Sequence, residues 1–140
     1  MKRALLCTAV MLLNPLSAHA DFCDTVKALA SAVENEDTSY LPAQMTLNGA
    51  ACEYDEGYEP GSVMDAGCLW YDTAKTAASS AKLPEIYKEM QACTGLTFKG
   101  RSDDGKEIKY KYEYGDWVEI ALGKSGAGGV YLRVTPTEYY

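Results

Sequence analysis

Glu107-Ile-Lys-Tyr-Lys-Tyr-Glu-Tyr-Gly-Asp-Trp-Val-Glu-Ile-Ala-Leu122 decides the fold. Ile108, Tyr110, Tyr112 and Tyr114 alternate with Lys109, Lys111 and Glu113, the two-residue period of a strand with one apolar and one charged face. Trp117 to Leu122 reads as the returning strand. A two-residue Gly115-Asp116 turn would set Val118, Ile120 and Leu122 opposite Glu113, Lys111 and Lys109. One further loop residue brings Tyr114, Tyr112 and Tyr110 against those apolar side chains instead, because a one-residue slip exchanges faces. The slipped register is expected, with Trp117 in the loop or pointing outward.

Working outward, Val130 to Thr135 supplies another alternating strand, and Leu96 to Lys99 a fourth, reversed by Asp103-Asp104-Gly105. Towards the N-terminus, Phe22, Val26, Leu29, Ala30 and Val33 share one helical face, and Asn35 to Ser39 ends that helix. Residues 40–71 are turn-rich, with Asn48-Gly49 and Pro60-Gly61, and with strands at Ala50 to Tyr54 and Cys68 to Tyr71. Asp72 or Thr73 caps a second helical region in which Ala74, Ala77, Ala78 and Ala81 share a small face. Pro84 predicts a break or kink at Leu83, followed by a turn set with Ile86, Tyr87, Met90 and Cys93 inward and Gly95 as the stop. The expected class is α+β: an N-terminal helix, a short β-hairpin region, a broken second helix, then an antiparallel meander of about four strands with the helices on one face.

Residues 1–20 read as a cleaved secretory signal: Lys2 and Arg3, an apolar run from Ala4 to Leu13, and Ala18-His19-Ala20 as a small-x-small cleavage pattern. Asn14 and Pro15 interrupt the run too early for a membrane span. Cleavage at Ala20/Asp21 leaves one acidic domain, residues 21–140, in a periplasmic or secreted setting, and removes the only histidine, His19. Cys23, Cys52, Cys68 and Cys93 then remain, an even number suited to two disulfides. Sequence alone does not choose among the three possible pairings; local structure suggests that Cys52 and Cys68, which flank a turn-rich loop, face each other across a hairpin. Cys23 opens one helix and Cys93 closes another, as antiparallel packing requires. Neither a metal site nor a cofactor is suggested by the spacing, which has no Cys-x-x-Cys pair.

The net charge is −7, and it is unevenly spread. Residues 21–72 hold 11 acids and only Lys27, whereas residues 73–140 hold 9 acids and 10 bases. Such a field disfavours nucleic acid and anionic lipid and steers cationic partners inward. The most suggestive stretch is Glu53-Tyr54-Asp55-Glu56-Gly57-Tyr58-Glu59, carboxylates interleaved with tyrosines. Tyrosine offers contact area at low entropy cost and acids select basic partners. Glu53, Tyr54, Asp55, Glu56, Tyr58 and Glu59, with Trp117, are therefore the expected partner-binding residues. A solvated loop is the plain alternative, and calcium on Asp55, Glu56, Glu59 and Asp65 a weaker one, since those oxygens lack a recognised spacing.

Catalytic residues are not expected: without histidine, and with its cysteines paired, the mature chain lacks Ser-His and Cys-His chemistry, and a carboxylate pair such as Glu53 and Glu59 is the remaining route, to glycoside hydrolysis. Gly123-Lys124-Ser125 lacks the earlier glycine of a phosphate-binding loop, Val118 standing in its place. Ser125-Gly126-Ala127 resembles, over three residues, the Ser-Gly-x element of one lysozyme-inhibitor family; the tyrosine that should follow closely stands only at Tyr131, and no family is assigned. The expectation is a monomeric or weakly associating protein-binding module, such as an inhibitor or immunity protein that occludes a basic envelope enzyme or toxin. The alternative is a structural or accessory envelope protein, or a carrier using the Tyr110, Tyr112 and Tyr114 face.

Overall fold

The computed structural model describes residues 21–43, 45–70, 76–126 and 129–137, without the side chains of 76–80. The leader, Asp72, Thr73 and Ala74 and the C-terminal Tyr139-Tyr140 lie outside the described residues, as do the side chains of Ala77 and Ala78. Helical residues 21–35 form α1, and Thr38–Tyr40 a 3-10 turn. Three strands follow, β1 (Thr46–Leu47), β2 (Ala50–Glu56) and β3 (Val63–Trp70), then α2 (Thr76–Ala92). Four more complete the chain: β4 (Thr97–Asp103), β5 (Ile108–Tyr114), β6 (Val118–Lys124) and β7 (Val130–Pro136).

All seven strands join one antiparallel sheet in the order β1-β2-β3-β7-β6-β5-β4. This corrects the expected four-strand meander. The turn-rich region is not a separate hairpin but half of the same sheet, because β3 pairs with β7, Leu69 opposite Tyr131 and Cys68 opposite Leu132. The chain reaches that closure by crossing along α2 from β3 to the far edge, β4, and meandering back. Asn48 and Gly49, with φ of 47° and 85°, form the two-residue turn between β1 and β2. Positive φ at both central positions is what a right-twisted hairpin needs, and Asn-Gly accepts it.

The slipped register is observed: Tyr114 opposes Val118, Tyr112 Ile120 and Tyr110 Leu122, leaving Trp117 in the turn. The inner face then reads Cys52, Ala66, Cys68, Trp70, Leu132, Val134, Ile120, Leu122 and Tyr112, all buried with Val26, Leu29 and Val33 of α1 and Leu83, Ile86 and Met90 of α2. α2 lies over β6 and β7. It runs unbroken through Pro84, which corrects the expected break. Proline removes one i→i−4 hydrogen bond, but Leu83, Ile86 and Met90 on either side of it bury a common face, and tertiary packing outweighs the local preference. Ala81 is exposed rather than packed. Both expected disulfides form: Cys52–Cys68 joins directly opposed residues of β2 and β3, and Cys23–Cys93 ties α1 to the end of α2. They place the chain in an oxidising, extracellular type of compartment.

The tyrosine face packs under the helices. Tyr114 Oη lies 3.0 Å from Ser31 Oγ on α1, and Tyr110 stacks on Tyr87 of α2 with ring centroids 4.2 Å apart. Tyr112 is 1% exposed and its hydroxyl has no hydrogen-bond partner among the described residues. Burial, then the neighbouring Tyr87 and Tyr110, pushes that phenol far above its ordinary range. A buried unsatisfied hydroxyl costs about 1–3 kcal/mol. Tyr112→Phe is therefore expected to hold or raise the urea midpoint, where removal of a satisfied hydroxyl would lower it.

Candidate interaction surface

The β2–β3 hairpin departs from regular pairing near its tip. Asp55 opposes Asp65 but Glu56 opposes Val63, so Met64 is the extra residue of a bulge, and it is 52% exposed. The loop beyond closes through Gly57 N–H to the Ser62 carbonyl (3.2 Å) and Ser62 Oγ to the Glu59 carbonyl (2.7 Å). Thr38 N–H donates to the Gly61 carbonyl at 2.9 Å, fastening the tip to the chain that leaves α1. Tyr58, held between these points, projects fully into solvent.

α1 ends beside this tip in an unusual way. Asp37 N–H reaches the Ala32 carbonyl (3.0 Å) and Glu36 N–H the Val33 carbonyl (3.4 Å), a Schellman-type close whose left-handed position is taken by Glu36, φ 52°, rather than glycine. A non-glycine residue there costs about 1 kcal/mol. Glu36→Gly is expected to raise the unfolding free energy by about that amount, measured by urea denaturation. A drop in stability would show that the Glu36 side chain contributes to the fold.

Two shallow depressions meet around Glu36 and Met64. The first, of ≈ 370 Å³, is lined by Glu36, Tyr58, Glu59 and Met64 among others. The second, of ≈ 160 Å³, is lined by Val33, Glu34, Glu36, Met64, Trp117 and Pro136. Trp117 is 51% exposed, and its carbonyl accepts from Thr137 N–H at 2.7 Å, which anchors the β5–β6 turn to the end of β7. One end of the sheet thus carries Tyr58, Met64 and Trp117 among Glu34, Glu36, Glu56 and Glu59.

Glu53 and Asp55 lie elsewhere, on the sheet face that no helix covers. Register places Glu53 opposite Gly67 and Arg133 beyond it, with Ala51, Leu69 and Tyr131 in the next row. With Asp65 these residues line a groove of ≈ 470 Å³. The Tyr131 ring lies over Gly123, where an added Cβ would collide with the phenol and stand 2.9 Å from the Ile108 carbonyl. Burial, and then the Glu107 carboxylate with which it hydrogen-bonds, pushes the Tyr131 phenol up to about 12. Asp65 is also raised, first by burial, then by its hydrogen bond to Asp55 and that group's charge, against the lowering influence of Arg133.

A raised carboxyl means that the native chain holds its proton to higher pH than the unfolded chain does. Its stabilising contribution is complete below the ordinary carboxylate value of 3.8 and is lost as pH rises through Asp65's raised range. Asp65→Asn is expected to raise the thermal midpoint at pH 7 and to lose that advantage below pH 3.8, as scans at both values would show. Equal gains at both would assign the effect to something other than ionisation.

The expected binding residues therefore divide. Tyr58, Glu59 and Trp117 meet at the sheet end with exposed Glu56 nearby; Glu53 and Asp55 face the groove; Tyr54 is half-buried against the core and also lines that groove. The four oxygens considered for calcium do not converge, and among the described residues no group of three or more His, Cys, Asp or Glu side chains is placed to hold a metal ion. Glu34, Glu36, Met64, Leu69 and Arg133 join the surfaces without being among the expected binding residues; Leu69, between inward Cys68 and Trp70, and Arg133, between Leu132 and Val134, carry a period-two signal.

Charge pairing separates the two halves of the domain. Lys82–Glu85, Lys99–Glu113, Arg101–Asp103, Lys109–Glu107 and Lys111–Glu119 all lie beyond residue 80. Among the described residues no ion pair engages Glu34, Glu36, Glu53, Asp55, Glu56, Glu59 or Asp65. Among the described residues no helix is long and apolar enough to cross a membrane. No protein family, no curated protein and no solved structure matches the chain.

Proposed function

We propose that this is an exported protein-binding module that occludes a basic protein, such as an envelope enzyme or toxin, after signal removal at Ala20/Asp21. The observation that carries the reading is the sheet end itself: Tyr58, Met64 and Trp117 stand exposed on tethered backbone, ringed by carboxylates with no ion-pair partner among the described residues. Aromatic residues and methionine are enriched at interface cores, while unpaired rim charge accelerates encounter and selects partners of opposite sign. The Thr38–Gly61 bond and the hydrogen bonds of Gly57 and Ser62 across the tip hold that end in place before binding, which reduces the ordering cost.

The immobilised domain, residues 21–140, tests this in an envelope extract at about 50 mM and about 500 mM salt, conditions that bracket weak and strong screening. The expected result is retention of a basic protein at low salt, with release at high salt. Recovery of no protein at low salt, or of one whose retention ignores salt, would overturn the reading.

A further inference from the structure

We propose that the groove on the uncovered sheet face receives one arginine side chain of the basic partner. The inference rests on the protein-binding reading above and names the chemistry of a second contact. Helices cover one face of the sheet only, and across β2, β3 and β7 the other face is open to solvent. There Gly67 forms a floor without a side chain, Leu69 (51% exposed) and Tyr131 form an apolar side, and Glu53, Asp55 and Asp65 supply negative charge. Asp55 and Asp65 are directly opposed across the strand pair. Like charges so placed repel unless a proton or a cation lies between them.

Among the described residues no cation fills that position in an ion pair. Arg133, the basic residue in the groove, lies with its guanidinium carbon 5.7 Å from the centroid of the Tyr131 ring. The charged groups facing the groove are thus Glu53, Asp55, Asp65 and Arg133, with Tyr131 engaged by Glu107, and the balance is negative. A guanidinium matches it best. Its planar fork can span two carboxylates, and its three-carbon stem needs an apolar bed such as Gly67, Leu69 and Tyr131 provide. The groove also borders the hairpin that carries Tyr58 and Glu59, so one partner can engage both surfaces.

Nα-acetyl-arginine amide, titrated into the ¹⁵N-labelled domain at pH 7, tests the proposal. Saturable shifts are expected at Asp65, Gly67 and Leu69, with affinity reduced about tenfold or more, a loss of about 1.4 kcal/mol, in the near-isosteric variant Asp55→Asn/Asp65→Asn. The neutral isostere Nα-acetyl-citrulline amide should leave those amides unmoved, and calcium chloride at matched ionic strength should not reproduce the pattern. Equal shifts from citrulline or calcium, shifts spread over every acidic residue, or indifference to the double substitution would overturn it. If arginine amide misses the groove while a basic protein is still retained, the groove inference falls and the protein-binding reading stands. If the groove titrates but the envelope extract yields no basic partner, the protein-binding reading falls and the assignment to a partner's side chain falls with it.

Discussion

Replacing Cys23 and Cys93 together by alanine is expected to lower the unfolding free energy by about 4 kcal/mol, against about 3 kcal/mol for Cys52 and Cys68. The order follows from the chain each bridge closes. Residues 70 apart lose more freedom in the unfolded ensemble than residues 16 apart, and the loop-entropy relation gives those magnitudes. The native structure adds to the contrast, because β2 and β3 already pair on both sides of Cys52 and Cys68. Cys23–Cys93 instead joins two helices that are distant in sequence. Urea denaturation without reductant would show the difference, with a steeper slope as the unfolded chain expands. A larger loss from the Cys52/Cys68 variant would mean that the hairpin, rather than the helix clamp, limits stability.

Trp117→Ala and Tyr58→Ala should each weaken retention of the basic partner by about 30-fold, roughly 2 kcal/mol, the scale of aromatic anchors at interfaces. Tyr58 is fully exposed and Trp117 half-exposed, so neither fills the core, and the urea midpoint should move little. Affinity from surface plasmon resonance and stability from denaturation, measured on the same samples, distinguish anchoring from folding. Loss of both together would assign these rings to the fold. Under the proposed function Glu36→Gly should give the converse pattern, a more stable chain that binds less well, because it relieves the left-handed strain while removing one rim carboxylate.

Much of the fold was legible because its signals are local and redundant. Tyr110, Tyr112 and Tyr114 demand an apolar partner face, and only the register with Val118, Ile120 and Leu122 gives one. Cys52 and Cys68 pair where a turn-rich loop returns the chain. β3 was harder to read, since the Met64 bulge breaks its alternation and Asp65 and Gly67 are poor strand formers, accepted where β2 and β7 flank both edges. β4 was read too short because it is exposed along both faces, and a second bulge, with Lys99 as the extra residue and Gly100 at φ 145°, interrupts its pattern. Pro84 misled because helix breaking is a local argument, whereas α2 is held by what Leu83, Ile86 and Met90 bury.

The surface was legible in composition and hidden in geometry. Glu56, Tyr58 and Glu59 stand in one acidic run, but their meeting with Trp117 depends on the pairing of β3 with distant β7, and their meeting with Glu36 on the bond between Thr38 and Gly61. The half-burial of Tyr54 is the period-two consequence of buried Cys52.

The account turns on which end of the sheet meets the partner. Amide shifts of the ¹⁵N-labelled domain, recorded on adding the basic protein retained from envelope extract, test this most directly. The expected footprint covers residues 34–38, 57–64 and 116–118, and extends to Asp65, Gly67 and Leu69 where the partner also enters the groove. A footprint confined to the ion-paired edge at Thr97–Asp103 and Lys109–Lys111 would contradict the account.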